Sequence, residues 1–312
     1  MTSPNHPILV TGAPRSGTTL VGKILCRAPR VAYIYEPFNV NQARGLCRAP
    51  LRYWFTYIDK HNAAAFEPGL RRTLRFRYDL LAQLTGMRRP KDLARLAIDS
   101  VQFAKGHLLR ARPVMKDPIA VFSAEWLAET FAMDAVVMIR HPAGFVVSRK
   151  SRGDEHDFSH FTRQPALMDL LDDEVRRRVE DYANHPPGIV EQSALLWRMI
   201  NERVKGYRER HPDWLFLRLE DLSEDPQAAF RRVFAHVGLA FTDDIRRTVD
   251  RYSSPGNPKQ ARQFGRWSGR TLKRNSKASA RSWTKRLSEQ EITTIRRITA
   301  PIADAFYSDE EW

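Results

Sequence analysis

A short strand, a glycine-rich loop and a helix follow one another near the start of the chain, over residues 8–20, ILVTGAPRSGTTL. The apolar run at residues 7–12 predicts a buried strand that ends in a glycine turn, and the apolar spacing of residues 18–26 predicts a helix. In such a unit the backbone N–H groups of the loop and the positive end of the helix dipole bind an anion. The segment therefore predicts an α/β fold whose first strand ends at an anion site.

The loop keeps the two glycines of a nucleotide triphosphatase phosphate loop but lacks its lysine. The pattern of those enzymes is G-x-x-x-x-G-K-S/T, and here Gly12 and Gly17 are followed by Thr18 where the lysine would stand. The cation inside the loop is Arg15 instead. The short polar donors of the loop are Ser16, Thr18 and Thr19. This set fits a compact anion better than a nucleoside triphosphate with Mg²⁺.

A second strand and helix in the middle of the chain have the same arrangement, in VVMIRHPAGFVVSRKS at residues 136–151. Arg140 follows the apolar run, and Ser148 lies eight residues further on, about two helical turns away. Ligands of parallel sheets bind at the carboxyl ends of the strands, which makes Arg140 a candidate anion ligand. An arginine in this place is as often an ion-pair partner, so the pattern alone leaves both roles open.

Strands and helices alternate along the chain. Strands are predicted at residues 7–12, 31–35, 113–116, 135–139 and 214–219, and helices at residues 120–130, 143–150, 192–210, 226–237 and 288–306. This alternation predicts an α/β fold, a P-loop-like parallel sheet flanked by helices. Two segments, at about residues 40–112 and 151–190, are predicted to be helical insertions. With no composition break or internal repeat, the expectation is a single α/β domain over residues 1–312.

The positive charge of the chain is concentrated near its C-terminus. The formal net charge is +15, and residues 259–286 contain ten Lys and Arg and no acidic residue. The segment at residues 252–280 is also rich in Gly and Ser and is predicted to be a loop. Because so much of the excess charge lies in one loop, a local anion site is favoured over a uniformly basic surface.

RSGTTL near the N-terminus and IRHPAGFVVSRKS in mid-chain resemble the sulfotransferases that use 3′-phosphoadenylyl sulfate (PAPS). The resemblance implies that the first loop binds the 5′-phosphosulfate through Arg15, Ser16, Gly17, Thr18 and Thr19. It implies that Arg140 and Ser148 hold the 3′-phosphate. The basic segment KRNSKASARSW stands where the family closes a loop over PAPS, and it offers Arg274, Ser276 and Lys277, without the family's Arg-Lys-Gly triplet.

Sulfuryl transfer needs a base at the acceptor hydroxyl and cations at the leaving phosphate. In VMKDPIA, Lys116 matches the lysine of the Lys-Thr-His motif of phenol and steroid sulfotransferases, but Pro118 stands in place of the histidine. YIYEPFNV resembles the Tyr/Phe-Glu-Pro of carbohydrate sulfotransferases, which implies Glu36 as the base. Lys116 and Arg15 are then expected to stabilise the leaving phosphate, and Asp117 is the second candidate base.

The expected acceptor is a hydroxyl of a carbohydrate or glycolipid, and the basic charge suits an anionic one, while phenolic and peptidic acceptors are left open. The sequence has no HExxH, CxxC or Asp-rich pattern, so no metal is expected. The main alternative is a P-loop kinase or another nucleotide-phosphate-binding enzyme, which would need a lysine in place of Thr18 and an acidic residue in place of Arg140. A nucleic-acid-binding protein is a further alternative, suggested by the pI of about 10.1 and by Phe264, Trp267 and Trp283 within the basic segment.

A cytoplasmic location is expected from three features. The chain has two cysteines, no apolar run near the roughly 20 residues of a membrane span, and no signal-peptide pattern in MTSPNHPILVTG. The sequence leaves the oligomeric state open.

Overall fold

The computed structural model describes residues 6–42, 44–86, 90–253 and 282–312. Its centre is a five-stranded sheet in the order β2-β3-β1-β4-β5, and all neighbouring strands are parallel. The strands are β1 (Ile8–Gly12), β2 (Val31–Tyr35), β3 (Arg112–Lys116), β4 (Asp134–Ile139) and β5 (Leu215–Arg218). The parallel α/β fold predicted from the sequence is confirmed, and each strand lies within one residue of its predicted segment.

Helices connect the strands. Those before β4 are α1 (Thr18–Leu25), α2 (Ala63–Leu74), α3 (Leu80–Gly86), α4 (Pro90–Leu108) and α5 (Ala124–Phe131). Those between β4 and β5 are α6 (Pro142–Lys150), α7 (Ser159–Thr162), α8 (Pro165–Met168), α9 (Asp173–Asn184) and α10 (Ile189–Arg210). Those after β5 are α11 (Leu219–Glu224), α12 (Pro226–His236), α13 (Asp243–Ser253) and α14 (Glu289–Ala303). No helix within the described ranges is both long and apolar enough to cross a membrane.

The sheet is buried on both faces, as a parallel sheet requires. On one face, Val10 packs in a cluster with Val21 of α1 and Phe230 of α12. On the other face, Leu9 packs in a cluster with Leu127 of α5 and Trp197 of α10. The connection from β1 to β2 runs through α1 on one face of the sheet, and the connection from β3 to β4 runs through α5 on the opposite face. The carboxyl end of β1 is thus a switch point, where parallel sheets bind ligands.

The predicted helix at residues 120–130 is wrong in its first half, because a 3₁₀ helix, Pro118–Ser123, precedes α5. The Asp117 carboxylate accepts the Ile119 N–H at 3.0 Å and so caps this element. The Tyr207 hydroxyl donates to the Val121 carbonyl at 2.9 Å. Tertiary hydrogen bonds of this kind satisfy backbone groups that a regular α-helix would have paired internally.

Both segments predicted as insertions are rich in helices, and they pack against each other. Residues 40–112 contain α2, α3 and α4, and residues 151–190 contain α7, α8 and α9. The Tyr57 N–H donates to Gln164 Oε1 at 2.8 Å. The ring of Phe55 stacks on that of Phe161, with centroids 5.8 Å apart.

Gly12 is required where β1 turns into the loop. Its φ is +118°, and a Cβ on Gly12 would lie 2.0 Å from the Met138 carbonyl oxygen in β4. We expect Gly12→Ala to lower the free energy of unfolding by about 3 kcal/mol, from a forbidden backbone conformation and a backbone clash together. Gly153→Ala is the matched control, since Gly153 also has a positive φ but nothing lies within 4 Å of its Cβ position. Equal losses for the two variants in urea unfolding would contradict this role of Gly12.

Candidate active site

The loop after β1 is closed by its own hydrogen bonds. The Ser16 N–H donates to the Ala13 carbonyl at 3.3 Å, and the buried Ser16 hydroxyl bonds to the same oxygen. Gly17, at φ +93°, then starts α1. The first N–H groups of a helix have no acceptor inside it, so the amides of Thr18 and Thr19 are candidate donors for an anion. The Ser16 side chain shapes the loop, and its predicted role as a ligand stays a prediction.

The structure joins the two predicted phosphate-binding turns. Arg140 Nη1 donates to the Arg15 carbonyl at 2.8 Å, and Arg15 Nε donates to Ser148 Oγ at 3.3 Å. Strand pairing explains the contact. Gly12, the last residue of β1, pairs with Met138 near the end of β4, so the two strands leave the sheet side by side. The predicted site residues Arg15, Arg140 and Ser148 therefore surround one place at the carboxyl ends of β1 and β4.

Positive charge accumulates around this place. Desolvation and the neighbouring charge of Arg152 lower the pKa of Arg15. Burial lowers the pKa of Arg149 to about 10, with the charge of Arg15 adding to the shift and that of Asp154 opposing it. The guanidinium groups remain protonated at neutral pH and repel one another, so a bound anion is favoured between them. Sequence reasoning missed Arg149, although it directly follows Ser148.

Distant residues fix the turn that carries Arg140. The Trp197 indole N–H donates to the Arg140 carbonyl at 2.7 Å. Glu220 accepts the His141 N–H at 3.2 Å and the Tyr307 hydroxyl at 2.9 Å. These residues follow Arg140 by between 57 and 167 positions in the chain, so no local sequence signal could have indicated them.

An aromatic cluster from the C-terminal part of the chain packs on the same turn. The His141 ring stacks on Trp283 with centroids 4.9 Å apart, and Trp312 meets it edge-on at 4.6 Å. Burial, followed by the charge of Arg140, lowers the pKa of His141 to about 3. The His141 imidazole is therefore neutral and supports the turn by packing.

Glu36 and Lys116 form an ion pair at the ends of β2 and β3. Tyr35 pairs with Lys116 in the sheet, and the Glu36 N–H donates to the Lys116 carbonyl at 2.9 Å. Lys116 is 1% exposed, and its Nζ bonds to Glu36 Oε1. Asn39 Nδ2 donates to the other carboxylate oxygen of Glu36 at 3.0 Å. The φ of Glu36 is +44°, a left-handed conformation that is rare for a glutamate and is often found at functional sites.

The Glu36 carboxyl is held in its ionised form. Burial alone would raise its pKa, but the charge and hydrogen bond of Lys116, with the hydrogen bond of Asn39, bring the pKa below its usual value. The Glu36 charge in turn acts to raise the pKa of Arg15. The ion pair and the anion-binding loop therefore lie within electrostatic reach of each other.

The side chain of Asp117, the second candidate base, is hydrogen-bonded to backbone N–H groups. Its two carboxylate oxygens accept the N–H groups of Phe38, at 2.6 Å, and of Ile119, at 3.0 Å. Burial, followed by the charge of Glu36, raises the pKa of this carboxyl to about 7. The hydrogen bonds give Asp117 a structural task, which is to join the segment after β2 to the segment after β3. The predicted loop residues Arg274, Ser276 and Lys277 lie outside the described residues.

Comparison with known proteins decides the family. Residues 7–243 match the family model described as the sulfotransferase family. The chain belongs to the sulfotransferase family. This membership confirms the enzyme class expected from the sequence, and the kinase alternative finds no support. A search of curated protein sequences gives no significant match.

Solved sulfotransferase structures have a similar fold. The sulfotransferase domain of the Synechococcus PCC 7002 olefin synthase is 17% identical over 99% of this chain and 97% of that one, with a TM-score of 0.50. The sulfotransferase domain of the curacin biosynthetic pathway is 14% identical over 97% and 99%, with a TM-score of 0.45. Sulfotransferase STF1 of Mycobacterium tuberculosis H37Rv is 17% identical over 81% and 72%, with a TM-score of 0.42. At 17% identity the likeness to the olefin synthase domain shows the fold alone.

Proposed function

We propose that this sulfotransferase transfers the sulfuryl group of PAPS to a hydroxyl group of a carbohydrate or glycolipid. The observation that carries the donor assignment is the contact of the two cationic turns, in which Arg140 holds the Arg15 carbonyl and Arg15 reaches Ser148. PAPS has two anionic ends, a 5′-phosphosulfate and a 3′-phosphate. Two adjacent turns that each offer an arginine and hydroxyl or amide donors suit such a ligand.

Glu36 is the proposed base. Its carboxylate takes the proton of the acceptor hydroxyl while the hydroxyl oxygen attacks sulfur. The bond between sulfur and the bridging phosphate oxygen breaks, and its electron pair leaves with 3′-phosphoadenosine 5′-phosphate. The Glu36 carboxylate already accepts hydrogen bonds from Lys116, Asn39 and Tyr35, but a carboxylate has about four acceptor positions. A further hydrogen bond from the acceptor is therefore compatible with the ion pair.

Lys116 and Arg15 are proposed to stabilise the leaving phosphate. Before transfer, Lys116 neutralises Glu36. When Glu36 takes the proton it loses its negative charge, while negative charge grows on the phosphate. The buried Lys116 ammonium can then act on the phosphate, and stabilisation of developing charge is the largest contribution in reactions of this kind.

The acceptor class rests on the Glu-Pro sequence after β2, which resembles carbohydrate sulfotransferases. Residues 40–112 and 151–190 are proposed to form the acceptor cleft of a single domain over residues 1–312. The basic loop with Arg274, Ser276 and Lys277 is proposed to cover PAPS. The proposed location is the cytoplasm, which suits the two free cysteines Cys26 and Cys47.

The experiment that tests this function incubates the enzyme with PAPS and a panel of carbohydrate, glycolipid, phenol and peptide acceptors. Mass spectrometry follows both the sulfated acceptor and 3′-phosphoadenosine 5′-phosphate. We expect sulfation of a sugar hydroxyl, and no sulfation above background with Glu36→Gln. Sulfation of phenols or peptides alone would overturn the acceptor class, and no release of 3′-phosphoadenosine 5′-phosphate with any acceptor would overturn the donor.

The pH dependence of kcat/KM separates Glu36 from Asp117 as the base. A base must be deprotonated, so activity falls as the pH drops through its pKa. Since the pKa of Glu36 lies below its usual value of 4.5, we expect no acidic loss of activity between about pH 8 and about pH 5. If Asp117 were the base, half of the activity would be lost near its pKa of about 7. A steady-state pH profile distinguishes the two outcomes.

A further inference from the structure

The exposed apolar side chains of the described residues are concentrated in one helical hairpin. Large hydrophobic residues that are exposed all lie between residues 80 and 109, on α3, on α4 and just after α4. The most exposed are Leu81 at 73%, Val101 at 68% and Leu108 at 83%. We call the exposed apolar side chains of residues 80–109 the α3–α4 surface. Exposed apolar side chains gathered in one part of a fold are typical of surfaces that bind a partner or a membrane.

Both helices bury a polar side chain and expose apolar ones, whereas an ordinary surface helix turns its apolar side inward. Phe103 of α4 is nevertheless buried in the core. In α3, Gln83 is buried, and its Oε1 accepts the Gly45 N–H at 3.1 Å, while Leu81 faces solvent. In α4, the Asp99 side chain is buried, while Val101 is exposed. Polar groups thus contribute to attaching the hairpin to the protein. Its solvent-exposed side carries apolar side chains that can contact an apolar partner.

The charges around the α3–α4 surface are basic. Residues 71–110 contain ten Lys and Arg and three Asp. Of the described acidic residues in this segment, Asp79 and Asp99 are both buried. The exposed basic residues that the structure describes there are Arg72, Arg75, Arg77, Lys105 and Arg110. His107 Nδ1 lies 3.2 Å from the Arg75 carbonyl oxygen, so the basic end of α2 adjoins the exposed Leu108.

The hairpin is attached to the edge of the sheet that ends at Glu36. Gln102 Nε2 of α4 donates to the Tyr33 carbonyl of β2 at 2.6 Å. β2 is an outer strand of the sheet, and Glu36 directly follows its last residue. The α3–α4 hairpin is therefore attached to the edge strand that Glu36 follows.

We propose that the α3–α4 surface docks the enzyme on a membrane that contains anionic lipids. Apolar side chains next to exposed Lys and Arg fit such an interface, where the apolar groups enter the acyl boundary and the cations meet the headgroups. A second copy of this chain fits less well, since a two-fold interface would bring the basic residues of both copies together. Docking is peripheral, with both helices lying along the interface.

The test measures binding of the full chain to vesicles, with no donor or acceptor present, so its result is independent of the proposed reaction. Vesicles of phosphatidylcholine with phosphatidylglycerol are compared with vesicles of phosphatidylcholine alone, in a flotation assay. We expect binding to the anionic vesicles, weakened about tenfold or more in the double variant Val101→Gln, Leu108→Gln. The control is Ala235→Gln, an exposed position on α12, which is expected to bind like the unchanged protein.

A second double variant tests the contribution of the basic residues to membrane binding. Lys105→Gln with Arg110→Gln removes two exposed cations and is expected to weaken binding to anionic vesicles, with a smaller dependence on salt. Absence of binding to anionic vesicles would overturn the proposal, as would equal binding by the Val101 and Leu108 double variant. A dimer in solution that this double variant dissociates, without vesicle binding, would identify a second copy as the occupant instead. Urea unfolding of each variant verifies the fold.

Discussion

Replacing Glu36 by Gln is expected to lower kcat about 10²–10⁴-fold, the usual contribution of a general base. The substitution keeps the size of the side chain and an oxygen that can accept from Lys116. The affinity for 3′-phosphoadenosine 5′-phosphate is therefore expected to change about twofold or less. Single-turnover rates and calorimetric titration together check this expectation.

Asp117→Asn is the informative comparison for Glu36→Gln. An Asn can offer one carboxamide oxygen to the two backbone N–H groups that Asp117 satisfies, so this variant is expected to lose stability, about 1–3 kcal/mol. If Glu36→Gln stays fully active while a folded Asp117→Asn loses turnover, Asp117 is the base and the assignment of Glu36 is wrong.

Replacing Arg140 by Ala is expected to weaken binding of 3′-phosphoadenosine 5′-phosphate by about 10²-fold or more, the usual cost of deleting one partner of a buried charged hydrogen bond. Arg140 is 1% exposed and holds the Arg15 carbonyl. Its loss removes a cation and also releases the loop after β1. Arg15→Ala is expected to have a smaller effect, since the loop keeps its backbone hydrogen bonds.

Arg210→Ala is the matched control for Arg140→Ala. Arg210 pairs with Glu125 at 2.7 Å, and both residues lie outside the proposed site. Its removal is expected to leave the titration unchanged. Equal binding by Arg140→Ala and Arg210→Ala would exclude Arg140 from the donor site.

The strands could be predicted from the sequence because each is a short apolar run whose burial on both faces leaves a continuous pattern. The loop after β1 could be predicted for the same reason, since its two glycines stand between a strand and a helix. The contact between Arg15 and Arg140 could not be predicted, because it depends on the pairing of β1 with β4, which are more than 100 residues apart.

The contact between Glu36 and Lys116 also depends on the pairing of two strands. The sequence indicated both residues, but their contact follows from the register of β2 with β3. The close approach of α1 to β3 could not be predicted from the sequence either. A Cβ on Gly22 would lie 2.8 Å from the Tyr33 ring and 3.2 Å from the Lys116 Cβ, so only glycine lets the helix cross there.

The α3–α4 hairpin shows a limit of periodicity. A helical pattern shows which residues share a face, and residues 40–112 were accordingly predicted to contain helices. Periodicity does not show which face turns inward, and here Gln83 and Asp99 are buried while Leu81 and Val101 are exposed. The inward face is held by hydrogen bonds to Gly45 and Tyr33 and by the packing of Phe103 against Phe76, and these partners belong to other parts of the fold.

Calorimetric titration of the unchanged enzyme with 3′-phosphoadenosine 5′-phosphate, run beside a titration with ATP and Mg²⁺, tests the central claim most directly. The joined turns of Arg15 and Arg140 should bind the bisphosphate tightly, while ATP with Mg²⁺ should bind weakly because Thr18 replaces the phosphate-loop lysine. Clear binding of ATP with Mg²⁺ and none of the bisphosphate would contradict the proposed donor site.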